Sequence, residues 1–169
     1  DPRTFGSGNP GTTNVLRTGN RKAALFTLLG DAIKGWVPVF IAFQFFWHSA
    51  LTASDIAYVA IATFLGHLYP IYFRFKGGKG VATALGILLA FSLKLGLCVA
   101  IIWIVFLKAF RISSLSALIA ALSSPILAFF FLSEPSWKWA VALIATMLII
   151  RHKLNIQKLI SGKENRIGS

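Results

Sequence analysis

The side chains of this chain that are equipped for chemistry fall into three short polar stretches, each suited to holding an anion. The first is Gly6-Ser7-Gly8-Asn9-Pro10-Gly11-Thr12-Thr13-Asn14, with Arg17 shortly after it. The second is Phe75-Lys76-Gly77-Gly78-Lys79-Gly80, and the third is Arg151-His152-Lys153-Leu154-Asn155. Glycines let successive backbone N–H groups turn toward one point and form a concavity for phosphate oxygens, to which a nearby lysine adds a mobile positive charge. Ser7, Asn9, Thr13, Asn14, Arg17, Lys76, Lys79, His152 and Asn155 are all types that recognise planar or tetrahedral anions. His67 and His152 can exchange protons near neutral pH. His152 and Asn155, three residues apart, lie side by side if the helix before them continues. The competing reading of Lys76 and Lys79 is a basic loop that only orients the chain in a membrane.

Other chemistries are poorly provided for. Five carboxylates are too scattered for a glycosidase pair, and three histidines without nearby acidic or cysteine ligands make no metal site. Cys98 lies alone in an apolar run and can form no internal disulfide. Gly78-Lys79 is followed by Gly80 where a nucleotide-binding P-loop needs Ser or Thr. Gly6, Gly8 and Gly11 satisfy the dinucleotide fingerprint in letters only, because no strand precedes them and no alternation of strand and helix follows. The His-x4-Asp acyltransferase pattern is also absent: Tyr72, Ala53 and Gln157 stand where it needs Asp, five positions after His67, His48 and His152.

The elements that must position these stretches are membrane helices. The 169 residues are 56% hydrophobic and 13% charged, against about 25% charged in soluble domains. Apolar runs cover residues 23–47, 56–73, 81–107, 113–132 and 137–150. Asp31 and Lys34 share one face of the first, where intramembrane charges line a bundle interior or neutralise each other. Residues 81–107 form one helix or two shorter ones broken around Ser92, and charge parity decides. With two helices, all of the 17 Lys and Arg residues except Lys34, Lys94 and Lys138 share one face, as the positive-inside rule requires. The half at 81–91 then rises only about 16 Å, too little to cross alone, so it is tucked into the bundle or lengthened by its loop.

This predicts an all-α, polytopic, integral membrane bundle of six helices, a single membrane-embedded domain over residues 1–169, with its three polar loops on the cytoplasmic face. A net charge of +12 suits anionic headgroups or phosphorylated substrates there, whereas short separate loops offer no groove for nucleic acid. The chain opens on polar Asp1-Pro2-Arg3 without a cleavable signal peptide, and a further N-terminal helix is expected ahead of it.

Taken together, the three stretches resemble the bacterial acyl-phosphate-dependent glycerol-3-phosphate acyltransferases, the PlsY family. The resemblance rests on the first loop, on Gly66-His67-Leu68-Tyr69-Pro70 leading into Phe75-Lys76-Gly77-Gly78-Lys79-Gly80-Val81-Ala82-Thr83, and on Arg151-His152-Lys153-Leu154-Asn155-Ile156, in that order over nearly the whole chain. Thr12, where alanine is more usual, is a small departure. The family has seven membrane helices, so the chain looks like that fold without its first.

The resemblance implies transfer of a fatty acyl group from acyl phosphate to carbon 1 of glycerol 3-phosphate, with neither cofactor nor metal, in the bacterial inner membrane. It implies that Ser7, Arg17, Lys76, His152 and Asn155 hold glycerol 3-phosphate. Lys79 and the backbone of Gly77, Gly78 and Gly80 would hold the acyl-phosphate headgroup, beside Asn9, Thr13 and Asn14. His67, Lys76, Asn155 and Ser7 are the expected catalytic set, with either His67 or a substrate phosphate accepting the hydroxyl proton. The partners are the two substrates and membrane lipid, and the rival function is an anion transporter or channel.

Overall fold

The computed structural model describes residues 4, 6–48 and 50–167, and among these all regular structure is helical. The expected opening at Asp1-Pro2-Arg3 and Ser49 in the loop after the first span lie outside the described residues. In chain order the helices are α1 (Thr12–Arg17), α2 (Arg21–Trp47), α3 (Ala53–Leu68), α4 (Val81–Phe91), α5 (Leu93–Phe110), α6 (Ser113–Phe131), α7 (Pro135–Arg151) and α8 (Lys153–Ile160), with a 3-10 turn at Ile71–Phe73.

Local chemistry sets the ends. Asn20 caps α2 by accepting from the Ala23 N–H, and Thr52 with Asp55 closes a reciprocal capping box on α3. The long apolar run after the Lys-Gly loop breaks at Ser92, as charge parity requires: Ser92 is extended, and its hydroxyl accepts from the Leu95 N–H to start α5. Arg111, in the left-handed region at φ 59°, ends α5.

Four segments are long and apolar enough to cross a bilayer: Arg21–Trp47, Ala53–Phe73, Leu93–Phe110 and Ser113–Phe131. A fifth is made by α7 and α8 if that pair, bent by 60°, is counted as one. The polytopic, all-helical expectation is met, and α4 is the short member it anticipated.

The helices form a closed ring in which each packs on the next: α2, α3, α7, α6, α5, α4 and back to α2. α4 also touches α3 and α7, and seven of its eleven residues are buried. Close approach of α2 and α4 depends on glycine in both. A Cβ on Gly35 would run into the Thr83 carbonyl, and one on Gly86 into the Ala32 carbonyl, so the two backbones interlock. Outward faces carry Phe26, Phe129, Phe130 and Trp139, all more than two-thirds exposed, as a lipid-facing surface does.

α6 contains Pro125, which cannot donate to the carbonyl four residues back. That carbonyl, of Ala121, takes the Ser124 hydroxyl instead at 2.9 Å, and Ser123 does the same for Ala120. In hydrocarbon, where water cannot substitute, this keeps the helix satisfied.

A candidate anion site at the mouth of an apolar cavity

The ring encloses a cavity of about 580 Å³ whose wall changes character with depth. At the end where the three polar stretches meet, its lining includes Ser7, Asn9, Arg17, Lys79, His152 and Asn155. Deeper, the wall is Leu85, Leu88, Val99, Ala121, Val141 and Ile144.

The first stretch is held by its own asparagine. Asn14 is buried, and its Oδ1 accepts from the Ser7 N–H at 2.9 Å, folding the loop back onto α1. Gly6 passes so close, in the left-handed region at φ 57°, that a Cβ would strike the same oxygen. Thr13 Oγ1 and Ser113 Oγ, 2.9 Å apart, tie α1 to the start of α6. Arg17 ends α1 on the cavity wall.

The Lys-Gly loop is shaped from both sides. Arg151, with its guanidinium carbon 5.7 Å from the centre of the Tyr69 ring, donates to the carbonyls of Gly77 and Gly78 at 3.2 and 3.3 Å. Gly77 lies against the carbonyls of His67 and Leu68, Gly78 against the His67 ring, and Gly80 over the Phe64 ring. At all three a side chain would collide with what lies beneath, and Gly80 also adopts φ 86°.

The loop delivers one lysine to the cavity and not the other. Lys79 Nζ donates to Asn155 Oδ1 at 2.6 Å, while the Asn155 amide donates to Glu164 Oε1 at 2.7 Å. Ser114 Oγ donates to the same carboxylate oxygen at 2.8 Å. The chain of bonds fixes which way the amide points, with its oxygen toward the cation. Burial pushes the Lys79 ammonium below the ordinary lysine value of 10.5; Glu164 opposes that shift, and Arg17, Lys158 and Arg151 add to it by like-charge repulsion. Lys76 is exposed and does not line the cavity, because the 3-10 turn followed by left-handed Arg74 and Phe75 carries it outward.

In the third stretch, α7 ends at Arg151 and the chain bends by 60° into α8. His152, 2% exposed, sits in the bend, and its Nδ1 lies 2.8 Å from the Leu148 carbonyl. A carbonyl only accepts, so Nδ1 carries the proton and Nε2 is the ring's second functional atom. Asn155 follows on α8 and faces the same space.

His67 also lines the cavity, but its ring is wedged. Nδ1 is 3.7 Å from Asp31 Oδ1, and Asp31 is itself bonded to Lys34 at 2.6 Å. Nε2 lies against Gly78. Of the expected site residues, Ser7, Asn9, Thr13, Asn14, Arg17, His67, Lys79, Gly80, His152 and Asn155 share the cavity wall; Gly77 and Gly78 stand behind it. Sequence reasoning missed Glu164, Ser114 and the clamping role of Arg151. Glu164 is an acidic residue in a strongly basic tail, and that contrast was the one available signal.

The chain matches the glycerol-3-phosphate acyltransferase family over residues 1–162. It is 54% identical to "Glycerol-3-phosphate acyltransferase" of Neisseria meningitidis serogroup C (strain 053442) across 99% of this chain and 84% of that protein. The chain belongs to the glycerol-3-phosphate acyltransferase family. A second member, from Cupriavidus pinatubonensis, is also 54% identical, over 99% of this chain and 83% of its own. Among solved members, PlsY, an integral membrane glycerol 3-phosphate acyltransferase, has a glycerol 3-phosphate form that superposes with a TM-score of 0.92 at 35% identity, covering 99% of this chain and 82% of that one. Its lysophosphatidic acid form gives 0.88 at 34% identity, covering 96% and 81%. The agreement spans the whole bundle, so the chain has the fold of these integral membrane acyltransferases.

Proposed function

We propose that the protein transfers a fatty acyl group from acyl phosphate to the sn-1 hydroxyl of glycerol 3-phosphate, giving 1-acylglycerol 3-phosphate and phosphate. The observation that carries this reading is one cavity with a cationic, hydrogen-bonding mouth and an apolar interior. A charged headgroup and a hydrocarbon tail need those two environments side by side.

Arg17, Ser7, His152 and Asn155 hold the glycerol phosphate, and Lys79 with the glycine backbone of residues 77–80 holds the headgroup of the donor. The hydroxyl oxygen attacks the acyl carbonyl carbon, the bond from that carbon to the phosphate oxygen breaks, and phosphate leaves. An acyl phosphate is a mixed anhydride with a good leaving group, so positioning and charge stabilisation are the main requirements. The proton passes from the hydroxyl to a phosphate oxygen, because His67 Nδ1 is buried without a hydrogen-bond partner, Asp31 standing 3.7 Å away, so nothing orients the ring as a general base. His67→Ala is therefore expected to raise KM with kcat mostly retained; loss of nearly all turnover at saturating substrate would make His67 the base.

The domain is a single unit over residues 1–169, a six-helix bundle of the bacterial inner membrane with the cavity mouth facing the cytoplasm, and no cofactor or metal takes part. In the test, purified protein in detergent micelles is given glycerol 3-phosphate with acyl phosphate, acyl-CoA or acyl carrier protein thioester. Lysophosphatidate from acyl phosphate alone is expected. A micelle has no compartments, so an anion transporter would yield no product.

A further inference from the structure

The cavity stops at one depth on α4, α5, α6 and α7, four of the helices that wall it. Its deepest residues are Leu88 on α4, Val99 on α5, Ser124 on α6 and Val141 on α7. One turn farther in, the same helices present Phe91, Leu95, Ala128 and Trp137, each 8% exposed or less and none lining the cavity. The Phe91 and Trp137 rings lie 6.0 Å apart, and Phe43 of α2 meets them edge-on at 6.2 and 5.1 Å. The Trp137 indole N–H donates to the Ala53 carbonyl at 2.9 Å, which locks the ring in place. Interiors packed in this way do not yield to a methylene group without strain.

We infer that this aromatic floor is a ruler that sets the length of acyl chain the enzyme accepts. The inference rests on the acyltransferase reading above. From Ser113 at the mouth to Ser124 at the floor, α6 rises about 16 Å. An extended chain advances about 1.3 Å per carbon, from a bond of about 1.5 Å at the tetrahedral angle, so about 12 carbons reach the floor. Each further carbon must coil in the width that remains or turn out between helices. Ala117 and Ala120 line the wall above, where their small side chains leave room for the tail, and Ala121 lines it nearer the floor.

The test compares kcat/KM for lauroyl, myristoyl, palmitoyl and stearoyl phosphate in the wild type and in Ala121→Leu, Val99→Phe and Phe91→Ala. Ala121→Leu and Val99→Phe occupy the lower cavity and should lower the stearoyl-to-lauroyl ratio by about fourfold per methylene displaced, hence roughly tenfold or more. Phe91→Ala opens the floor and should raise the ratio. Because ratios are compared within one preparation, partial loss of folded enzyme does not affect the outcome, and the two filling variants stand if the floor variant fails to fold. Ratios unchanged in every active variant would overturn the ruler, with tails leaving sideways into the bilayer. No product from the wild type with any of the four donors would instead defeat the acyltransferase reading itself.

Discussion

Lys79 carries more of the site than any other single side chain, because it is the cation from the Lys-Gly loop that reaches the cavity. Its ammonium is held toward the cavity by Asn155, and a charge-assisted hydrogen bond from it to a substrate phosphate is a class of contact worth about 2 kcal/mol. Lys79→Ala should therefore lower kcat/KM by roughly thirtyfold, whereas exposed Lys76→Ala should change it far less; steady-state assays with both substrates varied separately measure each effect. The sign of the pH dependence follows from burial. The charged form binds phosphate and the neutral form does not, so as pH rises through the lowered Lys79 pKa, anion binding is lost. The alkaline limb of kcat/KM should fall below the pH expected of a free lysine at 10.5 and move up in Lys79→Arg, whose guanidinium stays charged. Glu164 is the counterweight: Glu164→Gln should move the same limb down, because it removes the negative charge that favours the ammonium.

At the scale of elements, the site depends on two supports remote from any substrate atom. The first is the glycine interlock of α2 and α4, which seats the helix that starts at the Lys-Gly loop. Gly86→Leu drives a side chain into the Ala32 carbonyl, and overpacking of this kind costs about 1–3 kcal/mol or more. A lower unfolding temperature in detergent, together with lost activity, is expected. The second support is the C-terminal strap. Arg111 and Ile167 exchange two hydrogen bonds, at 2.7 and 3.2 Å, which lay residues 161–167 across the α5–α6 junction and bring Glu164 to Ser114 and Asn155. Arg111→Ala releases one of these bonds, and it should raise KM while leaving the unfolding temperature nearly unchanged, as binding and thermal-shift measurements can separate.

At the scale of the whole molecule, orientation is the point to test. Single cysteines introduced at Glu134 and at Ser161 in a Cys98→Ala background should react with a membrane-impermeant maleimide from opposite sides, Glu134 from outside and Ser161 from the cytoplasm; labelling of both from one side would overturn the topology. Fold class, the break at Ser92 and the convergence of three polar loops were legible in the sequence, because hydropathy and the distribution of Lys and Arg act through the bilayer, an environment known in advance. The polar residue types that line the cavity mouth were legible because their chemistry is local to each side chain. What only the tertiary structure decided is which of those side chains face one another. Lys76 and Lys79 are three residues apart in similar company, yet a 3-10 turn and two left-handed residues send one to solvent and the other to Asn155. Glu164 reaches the site only through a strap pinned about fifty residues away in sequence, at Arg111, and Phe91 and Trp137 become a floor only because the ring of helices closes. Such pairings depend on long-range packing geometry, which no window of sequence contains.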